Sequence, residues 1–463
     1  MDEVAQAFEQ DERVEVFSRK TIVRMIALFA GSLVLAILAS LLTFQFPSPG
    51  FHARIGDAIE TLSWRSQFYP SIIEGRNFSR LDNHMDAIMV QLAMDNPTIS
   101  VVEQAFEPLM VRAFYDEARG IPNQVKSLSA RYYDGAIPDY HFGRYWHGYR
   151  APLRLFGSFL TLQQLRILNF IGIGTLFLIA SIAVCRTFDR AIMIAFILSL
   201  LAVSIYFVPM SLQYVSAFYI LLVSVFALCI ALERWAEEAP VAEIVVLSAI
   251  ATAFFDLLTA PLAVVAILAL LYALWLYRDR SVTARTVMAR MGTVFALWFG
   301  TYAAFWAAKP LVARLFGIKG VGGETFRQVA KYFVDAVSSD WIHAIPYNLA
   351  TFTGATSWST NHKDLAYWLH VGAFFVIVLA SLLIWKYLFA YSGASLTPQI
   401  TKRYLPLLAV ALTPFLWWQV TPWRAANHIF TYRELVVLLF ALAVFYILTF
   451  YEARRVSQVD LLE

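Results

Sequence analysis

The chain has 463 residues, of which 59% are hydrophobic and 15% charged, with a net charge of +3. That much apolar side chain at so little charge excludes a water-soluble globular protein, and the small, scattered positive charge excludes a nucleic-acid partner. The two cysteines, Cys185 and Cys229, both sit in apolar runs, so neither a disulfide framework nor a cysteine metal site serves the loops outside the membrane.

In chain order, residues 1–20 mix acids and bases with Val14, Val16 and Phe17, the pattern of a short amphipathic helix on a cytoplasmic surface. The apolar run 21–44 is preceded by Arg13, Arg19 and Lys20. It lacks a cleavage pattern and reads as a retained first transmembrane helix over 21–46. Residues 47–164 hold no membrane segment and are rich in Tyr, Trp, His, Asp and Arg. They predict a large helical extracytoplasmic loop, with helices over 57–68, 80–93 and 98–117 and an interfacial amphipathic stretch over 149–164.

Within 165–313 the apolar runs predict spans at 165–188, 191–208, 212–232, 242–257, 258–277 and 287–311. A second outer loop covers 314–365. Further spans at 366–389, 404–420 and 435–451 lie within 366–452, and 453–463 forms a tail. The expectation is an all-α integral membrane bundle of about ten transmembrane helices. Loop charge orients it: Arg186 and Arg190, Arg234, Arg278 to Arg290, Lys402 and Arg403, and Arg454 and Arg455 fall on one side, which the positive-inside rule makes cytoplasmic, with both termini there.

Four stretches then face outward. Asp256, in Phe254-Phe255-Asp256-Leu257-Leu258-Thr259-Ala260-Pro261, lies inside a mostly apolar run from 242 to 276. An acid there costs roughly 2.5 kcal/mol or more in lipid, so it belongs at a water-facing helix end and marks a site. Asp82 and Asp86, in Arg80-Leu81-Asp82-Asn83-His84-Met85-Asp86-Ala87, share one helix face, which suits a general base or a divalent metal. The alternative is that Asp82 caps the helix while Asp86 is solvated or paired with Arg80. Asp57 is a further candidate base or a first-turn acid of its own helix.

The stretch from Tyr140 to Arg150 interleaves aromatics with Arg144, Tyr145, Trp146, His147 and Arg150, the equipment either to stack a sugar and fork a phosphate or to form an interfacial belt. Between the last two spans, Asn427, His428 and Arg433 stand near an outer helix end, as does Lys309; both cations suit a phosphate or a snorkelling position. No Walker loop, dinucleotide fingerprint or nucleophile elbow is present, which disfavours an ATP-driven pump or a serine hydrolase.

On these residues the chain resembles the GT-C superfamily of polytopic glycosyltransferases. More narrowly, it looks like a bacterial branch that carries D-N-x-x-D-A, Y-W-H-G-Y, F-F-D-x-L-T-x-P and H-x-F-T-Y-R elements. Here these are Asp82 to Ala87, Tyr145 to Tyr149, Phe254 to Pro261 and His428 to Arg433.

The resemblance implies transfer of a sugar from a polyprenyl-phosphate lipid in the bacterial cytoplasmic membrane to a glycan, lipid or protein acceptor at the outer face. An acid of the first loop (Asp82, Asp86 or Asp57) is then the base, and Arg433, Lys309, Arg150 and Arg144 hold the donor phosphate. Tyr145, Trp146, His147, Asp256, His428 and Asn427 contact sugar or acceptor. No cofactor is implied with certainty, and a divalent metal on Asp82 and Asp86 stays open. In the GT-C pattern the acid lies very close to the first helix, whereas Asp82 and Asp86 lie well into the loop. The competing class is a transporter or flippase lined by Asp256, Lys309 and Arg433; a scaffold binding a partner through the large loop is a third.

Overall fold

The computed structural model describes residues 18–64, 69–112, 115–116, 121–235, 240–257, 259–335, 340–355, 364–394 and 396–459; the expected amphipathic segment over 1–20 lies almost wholly outside them. The molecule is overwhelmingly helical. Among the described residues six helices are long and apolar enough to cross a membrane: α1 (Arg19–Gln45), α8 (Leu162–Thr187), α10 (Leu212–Trp235), α13 (Ala284–Leu315), α16 (Leu365–Ser392) and the segment Thr431–Gln458, which includes most of α20 (Leu435–Val459).

The remaining expected spans differ in a physically regular way. Residues 191–208 give α9 (Arg190–Ala202) and then a 3-10 turn, Ile205–Met210, built around Pro209. Residues 242–277 give two helices, α11 (Val241–Phe255, 15 residues) and α12 (Pro261–Leu276, 16 residues), each only about 23 Å long against a hydrocarbon thickness of about 30 Å. The predicted span 404–420 is interrupted at Leu412 and gives α17 (Pro398–Ala411) and α18 (Thr413–Val420). Nearly every residue of α12 is buried, as expected of a helix apolar on all sides. It is the central post of the bundle, with α10, α13 and α20 packed around it.

Between α1 and α8 the chain forms a compact insert of short helices: α2 (Pro49–Ala53), α3 (Ile55–Leu62), α4 (Asn83–Ala93), α5 (Val101–Phe106), α6 (Gln124–Tyr133) and α7 (Arg150–Gly157). The long helix expected over 98–117 is instead α5, a strand β1 (Leu109–Met110) and a strand β2 (Tyr115–Asp116). Antiparallel partners arrive later in the chain: β3 (Ile121–Pro122) pairs with β2, and β4 (Tyr140–His141) pairs with β1. Local chemistry starts these helices. Ser100 and Glu103 form a reciprocal capping box on α5, and Thr161 and Gln164 form one on α8. The insert has its own core, in which Ile55, Leu62, Ile88, Leu92, Leu128 and Leu153 pack together.

Past the central post, α14 (Gly320–Asp335) and α15 (Asp340–Phe352) lead to α16, and α19 (Pro422–Asn427) with a 3-10 turn, Thr431–Glu434, leads into α20. Helix α4 touches α10, and α15 touches both α19 and the 3-10 turn. Tyr214, in the first turn of α10, packs beside Phe430 and under the Arg433 guanidinium, so the insert and the 422–434 segment meet there.

Candidate functional site

Asp82 is the N-cap of α4, with its Oδ1 accepting from the Met85 amide at 2.9 Å. It is wholly buried, and its Oδ2 has no hydrogen-bond partner among the described residues. Burial pushes its carboxyl up to about 8; the Met85 amide and the Arg424 charge oppose that, and Asp86 adds to it. One turn on, Asp86 is equally buried but engaged. Its Oδ1 accepts from the Ser211 hydroxyl at 2.9 Å and the Gln213 amide at 3.2 Å, and its Oδ2 lies 3.5 Å from the Arg166 guanidinium. Arg166 also donates to Asn83, whose amide donates to the Leu62 carbonyl. The paired acids thus differ in their neighbours: Asp86, held by Ser211, Gln213 and Arg166, ties α4 to α8 and α10, while Asp82 has only the Met85 amide; Oδ2 of each lacks a hydrogen-bond partner among the described residues.

The 422–434 segment supplies the opposite charge. Arg433, 2% exposed, lies over the rings of Tyr214 and Tyr432 at 4.7 and 4.9 Å and donates to the Phe78 carbonyl at 3.4 Å. Arg424 donates to the Leu257 carbonyl at 2.8 Å and lies within electrostatic reach of Asp82, Asp256 and Glu434. Neither guanidinium forms an ion pair among the described residues, and the Nε of each lacks an acceptor there. His428 is held well below the usual imidazole range by burial and by the charges of Arg424 and His84, and burial takes His84 down to about 4. Burial thus disfavours the charged form of both imidazoles.

Asp256 caps the end of α11 but is buried there, not water-facing as expected, because its oxygens are taken up by the turn into α12 and by α10. Its Oδ2 accepts from the Thr259 amide at 2.6 Å and its Oδ1 from the Ser216 hydroxyl at 3.3 Å. It therefore makes the turn into α12 at the edge of the Arg424 cluster. Glu434 accepts from the Trp418 indole at 2.8 Å.

The other candidates lie elsewhere or are occupied. Arg150 donates to the carbonyls of Gln104 and Ala105, both at 2.6 Å, and to that of His147. The Lys309 ammonium is buried against the carbonyls of Gly143 and Tyr145, Arg144 pairs with Glu324 at 3.2 Å, and the Trp146 indole donates to the Phe305 carbonyl. His147 has a left-handed φ of 59°, rare outside glycine, and its ring bridges the Phe142 carbonyl and the Tyr149 hydroxyl. The Gly148 amide donates to the Phe254 carbonyl, and a Cβ on Gly148 would meet the Phe254 ring at 2.3 Å.

This segment therefore anchors the insert to α11 and α13, with its polar groups spent on the chain itself. Asp57 is an exposed first-turn acid of α3, and the side chain of Asn427 lies outside the described residues. Sequence reasoning missed Arg424, Tyr214 and Arg166; Arg424 stood in the basic, Trp-rich 417–434 stretch already under scrutiny.

Beside this polar cluster lies an apolar cavity of about 740 Å³ between α7, α8, α10 and α11. It reaches the cluster through Met89, one turn from Asp86, through Leu212, between the two residues that bind Asp86, and through Ser216, which binds Asp256. As for a metal, no group of three His, Cys, Asp or Glu side chains among the described residues is placed to hold one. Compared with protein-family models, curated proteins and solved structures, the chain matches none of them.

Proposed function

We propose that the protein is a membrane glycosyltransferase that moves a sugar from a polyprenyl-phosphate lipid to a cell-envelope acceptor. One observation carries this reading: a buried carboxylate with a spare oxygen, Asp82, shares a cluster with two buried guanidiniums, Arg424 and Arg433, beside an apolar cavity. A base, an anion seat and a lipid-sized groove are the three parts such a reaction needs.

In this scheme the acceptor hydroxyl gives its proton to Asp82, its oxygen attacks the anomeric carbon, and the phosphate departs toward Arg424 and Arg433. A base that titrates near neutrality is matched to that task, and a guanidinium in a dry site stabilises the leaving phosphate far better than in water. The prenyl chain lies in the apolar cavity. Asp86 and Arg166 hold α4 in register, and no step is routed through a metal.

On the same reading the fold is GT-C-like, in the bacterial cytoplasmic membrane, with both termini cytoplasmic and the insert extracytoplasmic. The short helices α9, α11 and α12 and the broken pair α17 and α18 then complete ten crossings.

The test is turnover of polyprenyl-phosphate sugars by purified protein in lipid nanodiscs, wild type beside Asp82→Asn. Transfer or donor hydrolysis by the wild type, lost in the variant with donor binding kept, supports the assignment. Wild-type protein that neither binds nor turns over any such lipid overturns it and moves the transporter reading to first place.

A further inference from the structure

Several buried polar atoms around the first turn of α10 have no hydrogen-bond partner among the described residues, among them Asp82 Oδ2, Asp86 Oδ2, Gln213 Oε1, Arg424 Nε, Arg433 Nε and the Tyr214 hydroxyl; of these, Asp86 Oδ2 faces the Arg166 guanidinium at 3.5 Å. Buried polar groups in folded proteins are almost always satisfied, so a cluster of orphans outlines what a ligand supplies. Their kinds are complementary. The two Nε atoms only donate and call for anionic oxygen, an ionised carboxylate only accepts, and a phenol does either.

A hydroxyl group can accept from one partner while donating to another, so an alcohol is the ligand group that suits an unpartnered phenol and a neighbouring carboxylate together. Tyr214 is placed for this. It is fully buried, its ring lies beneath the Arg433 guanidinium and beside Phe430 at 5.4 Å, and its hydroxyl is within electrostatic reach of Asp82, Asp86 and Arg433.

We propose that Tyr214 binds the acceptor: its hydroxyl donates to the oxygen of the acceptor hydroxyl whose proton Asp82 receives, beside the anion seat of Arg424 and Arg433. This rests on the glycosyl-transfer reading above. In the step, the acceptor O–H bond breaks and the proton passes to Asp82 Oδ2. The acceptor oxygen bonds to the anomeric carbon as the bond from that carbon to the phosphate oxygen breaks, and the electron pair leaves with the phosphate. Tyr214 fixes the direction from which the oxygen's lone pair approaches, a contribution of orientation distinct from proton removal. The ligand class that follows is a pair: a phosphate-bearing donor and an alcohol.

The experiment uses a short-chain polyprenyl-phosphate sugar as donor and oligosaccharide fragments of a bacterial envelope polysaccharide as acceptor, with full-length protein in nanodiscs. Tyr214→Phe keeps the ring under Arg433 and removes only the hydroxyl; Tyr214→Leu removes both. We expect Tyr214→Phe to bind donor within twofold of wild type while kcat/KM for the acceptor falls about tenfold, the scale of one lost hydrogen bond at a buried site. Tyr214→Leu should in addition bind donor more weakly. If Tyr214→Phe matches wild type in acceptor kcat/KM while the wild type is active, the hydroxyl has no part in binding the acceptor and this inference fails alone. A wild type that binds no donor removes the reading beneath it, so the two failures are told apart.

Discussion

Two basic regions of this protein look alike in sequence and behave differently in three dimensions. In the 143–154 segment Arg150, Arg154 and Arg144 are buried or half-buried, and each is committed: Arg150 to three carbonyls, Arg154 to two carbonyls and Asp95, Arg144 to Glu324. In the 424–434 segment Arg424 and Arg433 are as deeply buried, yet each shows a single hydrogen bond to a carbonyl and no ion pair among the described residues. The first region spends its charge on holding an insert to a bundle. The second keeps capacity in hand, and a buried donor left unsatisfied is costly unless a ligand takes it. Asp86 and Asp82 repeat the contrast one turn apart on α4.

The sharpest way to break that contrast is at the two acids. Asp82→Asn should lower kcat by about a hundredfold or more, the range of a lost general base, with donor affinity unchanged in a binding assay. Because Asn caps a helix as well as Asp, and carries no charge to bury, thermal unfolding of this variant in lipid should come at the wild-type temperature or higher. Asp86→Ala should do the reverse. It strands Arg166 in the interior and costs roughly 3–5 kcal/mol of stability, read from unfolding in the same nanodiscs.

A smaller effect lies in the pH profile. With the Asp82 carboxyl held near 8, the base is mostly protonated at pH 6, so kcat/KM should climb about tenfold per unit toward pH 8 and then level off. A profile flat from pH 6 to 9 speaks against Asp82 as the base. The same shift has a structural sign. An acid raised from 3.8 to about 8 on folding adds no penalty below its unfolded value and destabilises increasingly as pH rises toward the folded one, so Asp82→Asn should gain stability relative to wild type at pH 8 and not at pH 4. The smallest expected change is at Asp57→Asn, an exposed first-turn acid, where stability should move by less than about 0.5 kcal/mol and activity not at all.

Much of the architecture was legible because hydropathy is a one-dimensional signal: the long apolar runs became long helices, and Asp256 fell at a helix end, though buried by its hydrogen bonds to Thr259 and Ser216 and not open to water. The runs around Asp256 and Leu412 were harder. Their apolar composition persists while the backbone turns, and the turns depend on Pro261, on the Asp256 side chain and on packing around α12.

Asp82 and Asp86 were visible as a pair through their spacing, but which one is tied to neighbouring helices depends on Ser211, Gln213 and Arg166, far away in the chain. The same holds for the cations. Nothing local in Tyr145-Trp146-His147-Gly148-Tyr149-Arg150 tells that Arg150 reaches the carbonyls of Gln104 and Ala105. Nor does the sequence around Arg433 tell that its neighbour is the ring of Tyr214.

The most direct test of the central contrast is the affinity of Arg433→Gln and Arg150→Met for a short-chain polyprenyl phosphate, measured side by side with their unfolding. Arg433→Gln should lose about ten- to a hundredfold in affinity, the worth of a charge-assisted hydrogen bond, and remain folded. Arg150→Met, which leaves buried carbonyls without a donor, should lose roughly 2–4 kcal/mol of stability and, where folded, bind the lipid within twofold of wild type. Equal affinities in Arg433→Gln and wild type, or a larger loss in Arg150→Met, would contradict the assignment of the anion seat to the 424–434 segment.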